Sequence, residues 1–350
     1  MADIHFPAEW DEHEAVWSAW PSAADLWEDN LAPAREEVAA LFEAIAMPDP
    51  DDDSIAGETV HVLLRGEEAR NSAEAMLDDM IQAGRLFLHE APIGDIWLRD
   101  TGPIFVKAGA TLTASRFGFN GWGGKYLLDA DDEIAPIVAK KASTTLSEHG
   151  FILEGGAIDT DGQGTILTTR QCVLNPNRNK GMTEERFEAL MAEALGIKKV
   201  IWLDDGLLND HTDGHVDNIA RFVAPGKVVC MAPSGEDDPN KDAYRAIRDA
   251  LAGARDATGR RLEVVEIPSP GRILNQDGDI VPASHMNFYI ANKSLVVPVY
   301  ASSDRQEGYA MEAVELLADA VGREHVHAID ATHVLTGGGS FHCITQQQPR

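Results

Sequence analysis

Cys343 follows three consecutive glycines, 337–339, in the segment Gly337-Gly338-Gly339-Ser340-Phe341-His342-Cys343. Glycine lets backbone approach backbone or ligand closely, and a thiol beside such a loop can be reached and desolvated, as a nucleophilic cysteine requires. The alternative is the fate of most free cysteines, a small hydrophobe buried on a final strand. A second segment, Asp210-His211-Thr212-Asp213-Gly214-His215-Val216-Asp217-Asn218, packs two histidines and three aspartates into nine positions. His211 and His215 stand four apart, like zinc ligands on a helix, but the intervening Thr-Asp-Gly is poor helix material and no glutamate follows the first histidine. A solvated turn with capping aspartates is the plain alternative. General acid–base work by His215 beside Asp217 suits the residue types better than either. Asp100 stands two residues before a Gly-Pro turn, where it is a candidate carboxylate or a turn cap. Glu154 sits at the end of a β-rich run ahead of Gly155-Gly156. Trp122, among glycines, is a candidate apolar wall.

The 350 residues carry a formal charge of −29, which argues against a phosphate-backbone partner and suits a cationic small molecule. No run approaches the roughly 20 apolar residues that span a bilayer, and the first residues have neither a basic region nor an apolar core, so a cytoplasmic location is expected. Cys172, Cys230 and Cys343 make no disulfide framework and no Cys-x-x-Cys pair. Cys172 and Cys230 lie in apolar runs and are assigned to packing. Neither a metal nor a cofactor is called for, and homo-oligomerisation is left open.

The elements that must position these residues recur. Tight polar turns at 107–110, 161–164, 224–227 and 291–294 each join two β-rich runs. Amphipathic helices are predicted over 134–146, 187–195, 244–251 and 311–321, each leading to another strand, at 151–153, 199–203, 262–267 and 325–329. A helix at 35–45, a strand at 60–64 and a helix at 68–82 precede them. Residues 48–53 and 235–241 read as surface loops. With turns about 60 residues apart the length leaves room for about five units, as in propeller-like architectures. The fifth hairpin would pair a strand at 343–345 with one at 15–17, closing a ring and making 1–350 a single domain. A plain open α/β sheet is the alternative.

Taken in order, the segments WLRDTGPIFV, FNGWGGKY, LEGGAIDTDGQGTILTT, LNPNRN, DHTDGHVDN and GGGSFHCITQQQP resemble the guanidine-modifying enzyme superfamily, most closely the agmatine deiminases of the peptidyl-arginine deiminase family. The resemblance covers nearly the whole chain. It implies a five-bladed α/β propeller (pentein) with pseudo-fivefold symmetry. It also implies hydrolytic deimination of a small cationic guanidino amine, agmatine foremost, to N-carbamoylputrescine and ammonia through a covalent amidino-cysteine. Carried over by motif, Cys343 attacks the guanidinium carbon, Asp100 and Asp217 grip its nitrogens, His215 is the acid and then the base, and Glu154 supports His215 or the substrate. Trp97 and Trp122 would line the aliphatic stem, although ordinary core tryptophans are the alternative. His211 is a departure: agmatine-directed members carry an acid there, facing the distal amine. Asp210, Asp213 or a carboxylate outside the motif would have to take its place, and Asp213 is the expected contact. Free or peptidyl arginine is the near rival substrate, an amidinotransferase would pass the amidino group to an amine, and a metal hydrolase on His211 and His215 is the rival of another class.

Overall fold

The computed structural model describes residues 4–46, 57–300, 302–323 and 325–350. The expected acidic loop at 48–53 lies outside them. Five separate sheets share one plan. In each, an antiparallel pair is extended by a parallel strand that arrives after a helix. Ile104–Ala108 and Thr111–Gly118 pair antiparallel and Thr145–Ile152 joins in parallel, with Ile4–His5 added at the outer edge. Ile158–Thr160 and Thr165–Thr169 are followed by Lys199–Leu203, Ala220–Ala224 and Lys227–Ala232 by Glu263–Pro268, and Tyr289–Ile290 and Ser294–Val299 by His325–Asp330. The hairpins fall at the turns read from the sequence. At the third, Gly226 has φ 77°, a left-handed value that a side chain disfavours.

The remaining sheet is assembled from both ends of the chain. Gln346–Pro349 pairs antiparallel with His13–Ala19, which is flanked in parallel by Thr59–Leu64 and then Leu86–Glu90. The pairing of terminal strands was expected, but its register is not the one expected. The C-terminal strand begins at Gln346, opposite Trp17, and Cys343 lies in the turn ahead of it. In that turn the Cys343 N–H goes to Asn287 and its C=O accepts the Arg99 N–H, so contacts from other units, not a strand ladder, set where the thiol faces.

The crossover helices run longer at their polar starts than apolar periodicity alone marks: Glu184–Leu195, Lys241–Gly253 and Asp304–Val321. Thr183 caps the first, its side chain accepting from the N–H of Arg186. The helix expected over 134–146 stops at Lys141, and Thr145–Ile152 is a strand. Ser143 there has φ 55°, which breaks the helix before the apolar pattern ends. Three apolar clusters hold the frame. One packs Trp17, Phe42 and Ile96 near the terminal sheet, one Phe222, Tyr244 and Phe288, and one Ile104, Ile158 and Phe187. No described helix is long and apolar enough to cross a membrane.

Candidate active site

Each of the five units places a polar residue two to four positions ahead of its first hairpin strand. These are Asp100 before Ile104, Glu154 before Ile158, Asp217 before Ala220, Asn287 before Tyr289 and Cys343 before Gln346. Repetition of one local design thus delivers five functional groups from positions far apart in the chain. Asn287 was not singled out from the sequence. Its place in the repeat is the signal that marks it.

The convergence is sharpest at Gly156. A Cβ on this residue would stand 2.6 Å from His215 Nδ1, 2.9 Å from Asp217 Oδ2 and 3.0 Å from Asp100 Oδ1, so groups from two other units meet around a glycine of a third. The Gly156 N–H donates to Asp100 Oδ1 at 3.0 Å, and the Trp122 indole N–H donates to Asp100 Oδ2 at 2.8 Å. Trp122 holds that position with φ 51°, an uncommon conformation for a bulky residue. Cys343 Sγ lies 3.7 Å from Asp217 Oδ2 and receives a hydrogen bond from Asn287 Nδ2 at 3.1 Å. Asn287 Oδ1 accepts the backbone N–H groups of both His342 and Cys343, which fixes the turn carrying the thiol.

Behind this layer stands a network of buried charges. Asp217 Oδ2 is 2.7 Å from His342 Nδ1, and His342 Nε2 is 2.8 Å from Glu9, which also meets Arg221 and Arg99. Burial acts against the Glu9 carboxylate, but Arg221, His342 and Arg99 outweigh it and hold Glu9 well below the usual carboxylate range. Asp217 is likewise held down, by His342, His215 and Arg221 against its own burial. On the other flank Arg178 Nε meets Glu154 at 2.6 Å and Arg178 NH1 meets Asp213 Oδ2 at 2.6 Å.

Two groups are set away from their ordinary charge balance. Burial pushes the Cys343 thiol well up, and the carboxylates of Asp217 and Asp100 push it further. Burial opposes an imidazolium at His215, yet the facing Asp100 carboxylate, 3.8 Å away, leads the groups that raise it well above its ordinary value. Neither His215 ring nitrogen has a hydrogen-bond partner among the described residues, so both are available. Cys172 also lies against His215. Burial keeps its thiol neutral, and its sulfur clusters with Glu154 and His215 within 4.8 Å. Cys172 is fully buried in the apolar cluster with Ile158 and Phe187, as its assignment to packing expects, and from the short helix Arg170–Val173 its sulfur also faces Glu154 and His215. Cys230 is buried in a strand, its thiol pushed up to about 12. Glu154, Cys172 and His215 form a metal-compatible set in geometry, but the Arg178 guanidinium already occupies Glu154. His211 and His215 share no helix face, because Asp213 and Gly214 between them have φ 63° and 88° and reverse the chain.

A cleft of about 270 Å³ leads to these groups. Cys343 and Asp100 are on its lining, with Trp27, Trp97, Trp122, Tyr126 and His211 as ring walls and Gly337, Gly338 and Gly339 between them. The glycines are there for close approach. A Cβ at 337 would strike both Trp97 and Trp27, at 338 the His211 ring, and at 339 the Trp97 ring at 2.5 Å. Trp97 and Trp122 thus line the cleft, and Trp27, Tyr126 and Asp95 join them without a signal in the sequence. Asp213 does not line it. Its carboxylate accepts from Lys125, Asn177 and Arg178 and is spent on holding Arg178 against Glu154, which corrects the expectation that it meets substrate.

The frame is an α/β fold of the pentein type. The agmatine deiminase of Enterococcus faecalis, solved in the course of its reaction, matches it with a TM-score of 0.88 at 29% identity, covering 99% of this chain and 96% of that one. More particularly, the chain belongs to the Porphyromonas-type peptidyl-arginine deiminase family, whose pattern matches residues 5–349. It is 37% identical over 369 residues to an agmatine deiminase of Stutzerimonas stutzeri, and 35% identical over 370 residues to one of Pseudomonas aeruginosa. Both matches take in 99% of this chain and 95% of the relative.

Proposed function

We propose that the protein is an agmatine deiminase that hydrolyses agmatine to N-carbamoylputrescine and ammonia, with Cys343 as nucleophile. The observation that carries the reading is the convergence of His215, Asp217 and Asp100 around one point beside the Cys343 sulfur at the end of an aromatic cleft. The names of the full-length relatives support the substrate. The five sheets with their shared plan are the blades of a single-domain five-bladed propeller, closed by the terminal strands.

The chemistry follows from the charge balance. The free thiol is held neutral by burial and two carboxylates, and an arriving guanidinium cancels that opposition. Asp100 and Asp217 bind its nitrogens by charge-assisted hydrogen bonds, turning the central carbon towards sulfur. As the cation arrives the thiol gives its proton to solvent in the cleft, the thiolate adds to that carbon, an S–C bond forms, and the electron pair of a C=N bond moves to nitrogen. His215, held as imidazolium by Asp100, gives its proton to the departing nitrogen, the C–N bond breaks and ammonia leaves. The now neutral imidazole takes a proton from water, whose oxygen adds to the amidino carbon. The hydroxyl proton of this adduct passes to the departing sulfur as the S–C bond breaks, returning the neutral thiol and releasing the ureido product.

The test uses ammonia release and ureido product from agmatine, arginine and a blocked arginyl peptide. Agmatine should lead, Cys343→Ala should release no ammonia while still binding agmatine by calorimetry, and chelators should leave the wild-type rate unchanged. Ammonia release by Cys343→Ala would overturn the assignment.

A further inference from the structure

A guanidino amine carries a second cation at the far end of its stem, and the histidine at 211 gives it no carboxylate. We propose that Asp95 receives the substrate's distal ammonium and sets the preference for a guanidine with a charged tail. The inference rests on the deimination reading above and goes further by naming what recognises the other end.

Among the described residues lining the cleft the carboxylates are Asp95 and Asp100. Asp100 belongs to the guanidinium end. The rival acids nearby are already committed, since Asp210 accepts from Thr212 and Asn218, and Asp213 from Lys125, Asn177 and Arg178. Asp95 is held differently. One oxygen accepts the Trp27 indole N–H at 2.9 Å and the other the Trp97 indole N–H at 2.8 Å. With the Ile96 N–H as a third donor, the carboxylate still keeps a lone pair for a further donor, and the two rings, stacked at 6.2 Å between centroids, fix where it stands.

The order of groups along the cleft suits the substrate. One edge of the Trp97 indole bonds Asp95, while the opposite edge, Cζ3 and Cε3, abuts Gly339, whose Cβ position lies 3.1 Å from Cys343 Cβ. Asp95 and Cys343 therefore stand at two ends of one indole. The six bonds from a guanidinium carbon to a terminal ammonium on a four-carbon stem span about 7 Å when extended. The methylenes then lie along the ring. Asp131 reinforces the potential: it accepts the Gly94 N–H, its other oxygen is buried without a partner among the described residues, and burial with the Asp95 charge nearby pushes it up to about 6. Burial likewise pushes the Asp95 carboxyl up, against the bonds from Trp27, Ile96 and Trp97, so an ammonium is the complement it lacks.

The experiment compares agmatine with n-butylguanidine, which has the same stem and no ammonium, as kcat/KM on the full chain. Wild type should prefer agmatine at least about tenfold, the range of one charge-assisted hydrogen bond. Asp95→Asn should lose agmatine activity about tenfold more than butylguanidine activity, chiefly through KM, while Asp95→Glu should keep the preference. Should Asp95→Asn fail to fold, Asp95→Ser is read on the same ratio. An unchanged ratio in the neutral variant, or equal losses on both substrates, would show that Asp95 only braces the tryptophans and would overturn the inference. Equal use of both guanidines by wild type would overturn it while leaving deimination standing. Ammonia from neither would overturn the deimination reading itself.

Discussion

Replacing Asn287 by aspartate isolates one hydrogen bond to the sulfur. The Oδ1 atom that accepts the His342 and Cys343 N–H groups is retained, so the turn stays anchored. The Nδ2 donor 3.1 Å from Cys343 Sγ becomes an oxygen. A hydrogen bond to a charged partner contributes about 1.5–3 kcal/mol, so its loss alone lowers the thiolate population of the substrate complex roughly 10- to 150-fold. A third carboxylate beside the sulfur, after Asp217 and Asp100, adds to this, and the upper part of that range is expected. The assays are kcat/KM against pH, and alkylation of Cys343 by iodoacetamide against pH with and without a saturating guanidinium ligand. In wild type the apparent thiol pKa should fall on ligand binding. In Asn287→Asp it should lie at least about one unit higher in the bound state, with kcat/KM down in proportion. An unchanged bound-state profile with kcat/KM within about twofold would refute the claim that this donor stabilises the thiolate.

Gly156→Ala places a methyl at the point where His215, Asp217 and Asp100 converge, all three within 3.0 Å. It should abolish agmatine binding by calorimetry and ammonia release while the circular dichroism of the fold persists. His285 gives a stability prediction with a definite sign. Burial holds it at about 4, against an ordinary 6.5, so the unfolded chain takes up a proton between those values that the native state refuses. Stability should decline as pH falls from 6.5 towards 4, by about 3 kcal/mol from this group, and flatten below. Urea midpoints across that window should show the decline, and a His285→Phe chain should show less of it.

Much of the site was legible because its motifs are local. The glycine run before Cys343, the DGHVDN segment and Trp97 to Gly102 each carry their chemistry within a few residues, and all supply groups to the one site. What escaped depends on tertiary pairing. Asn287 lies in a loop with no distinctive neighbours, and only its place ahead of Tyr289 in the repeat identifies it. Trp27 and Asp95 are ordinary in sequence and acquire meaning when one indole N–H binds the carboxylate. Asp213 looked functional because the segment is dense in acids, but Lys125 and Arg178, from other parts of the chain, neutralise it. Cys172 was read as packing from its apolar run. Its burial fits that reading, but the chain reversal at Asp213 and Gly214 brings His215 against its sulfur.

On the proposed assignment the same charges that start the reaction also end it. Asp100 and Asp217 hold a planar cation by charge, and the ureido product has no charge at that end, so their grip weakens when ammonia has left and water has added. With the cation gone, burial and the two carboxylates again disfavour the thiolate, and Cys343 returns to the neutral, unreactive form in which it waits for substrate. A thiol exposed to that opposition whenever the cleft is empty should react slowly with neutral electrophiles and fast with cationic amidines of the same intrinsic reactivity. The distal ammonium survives the chemistry, so Asp95 would hold the product by its tail after the reacting end has let go.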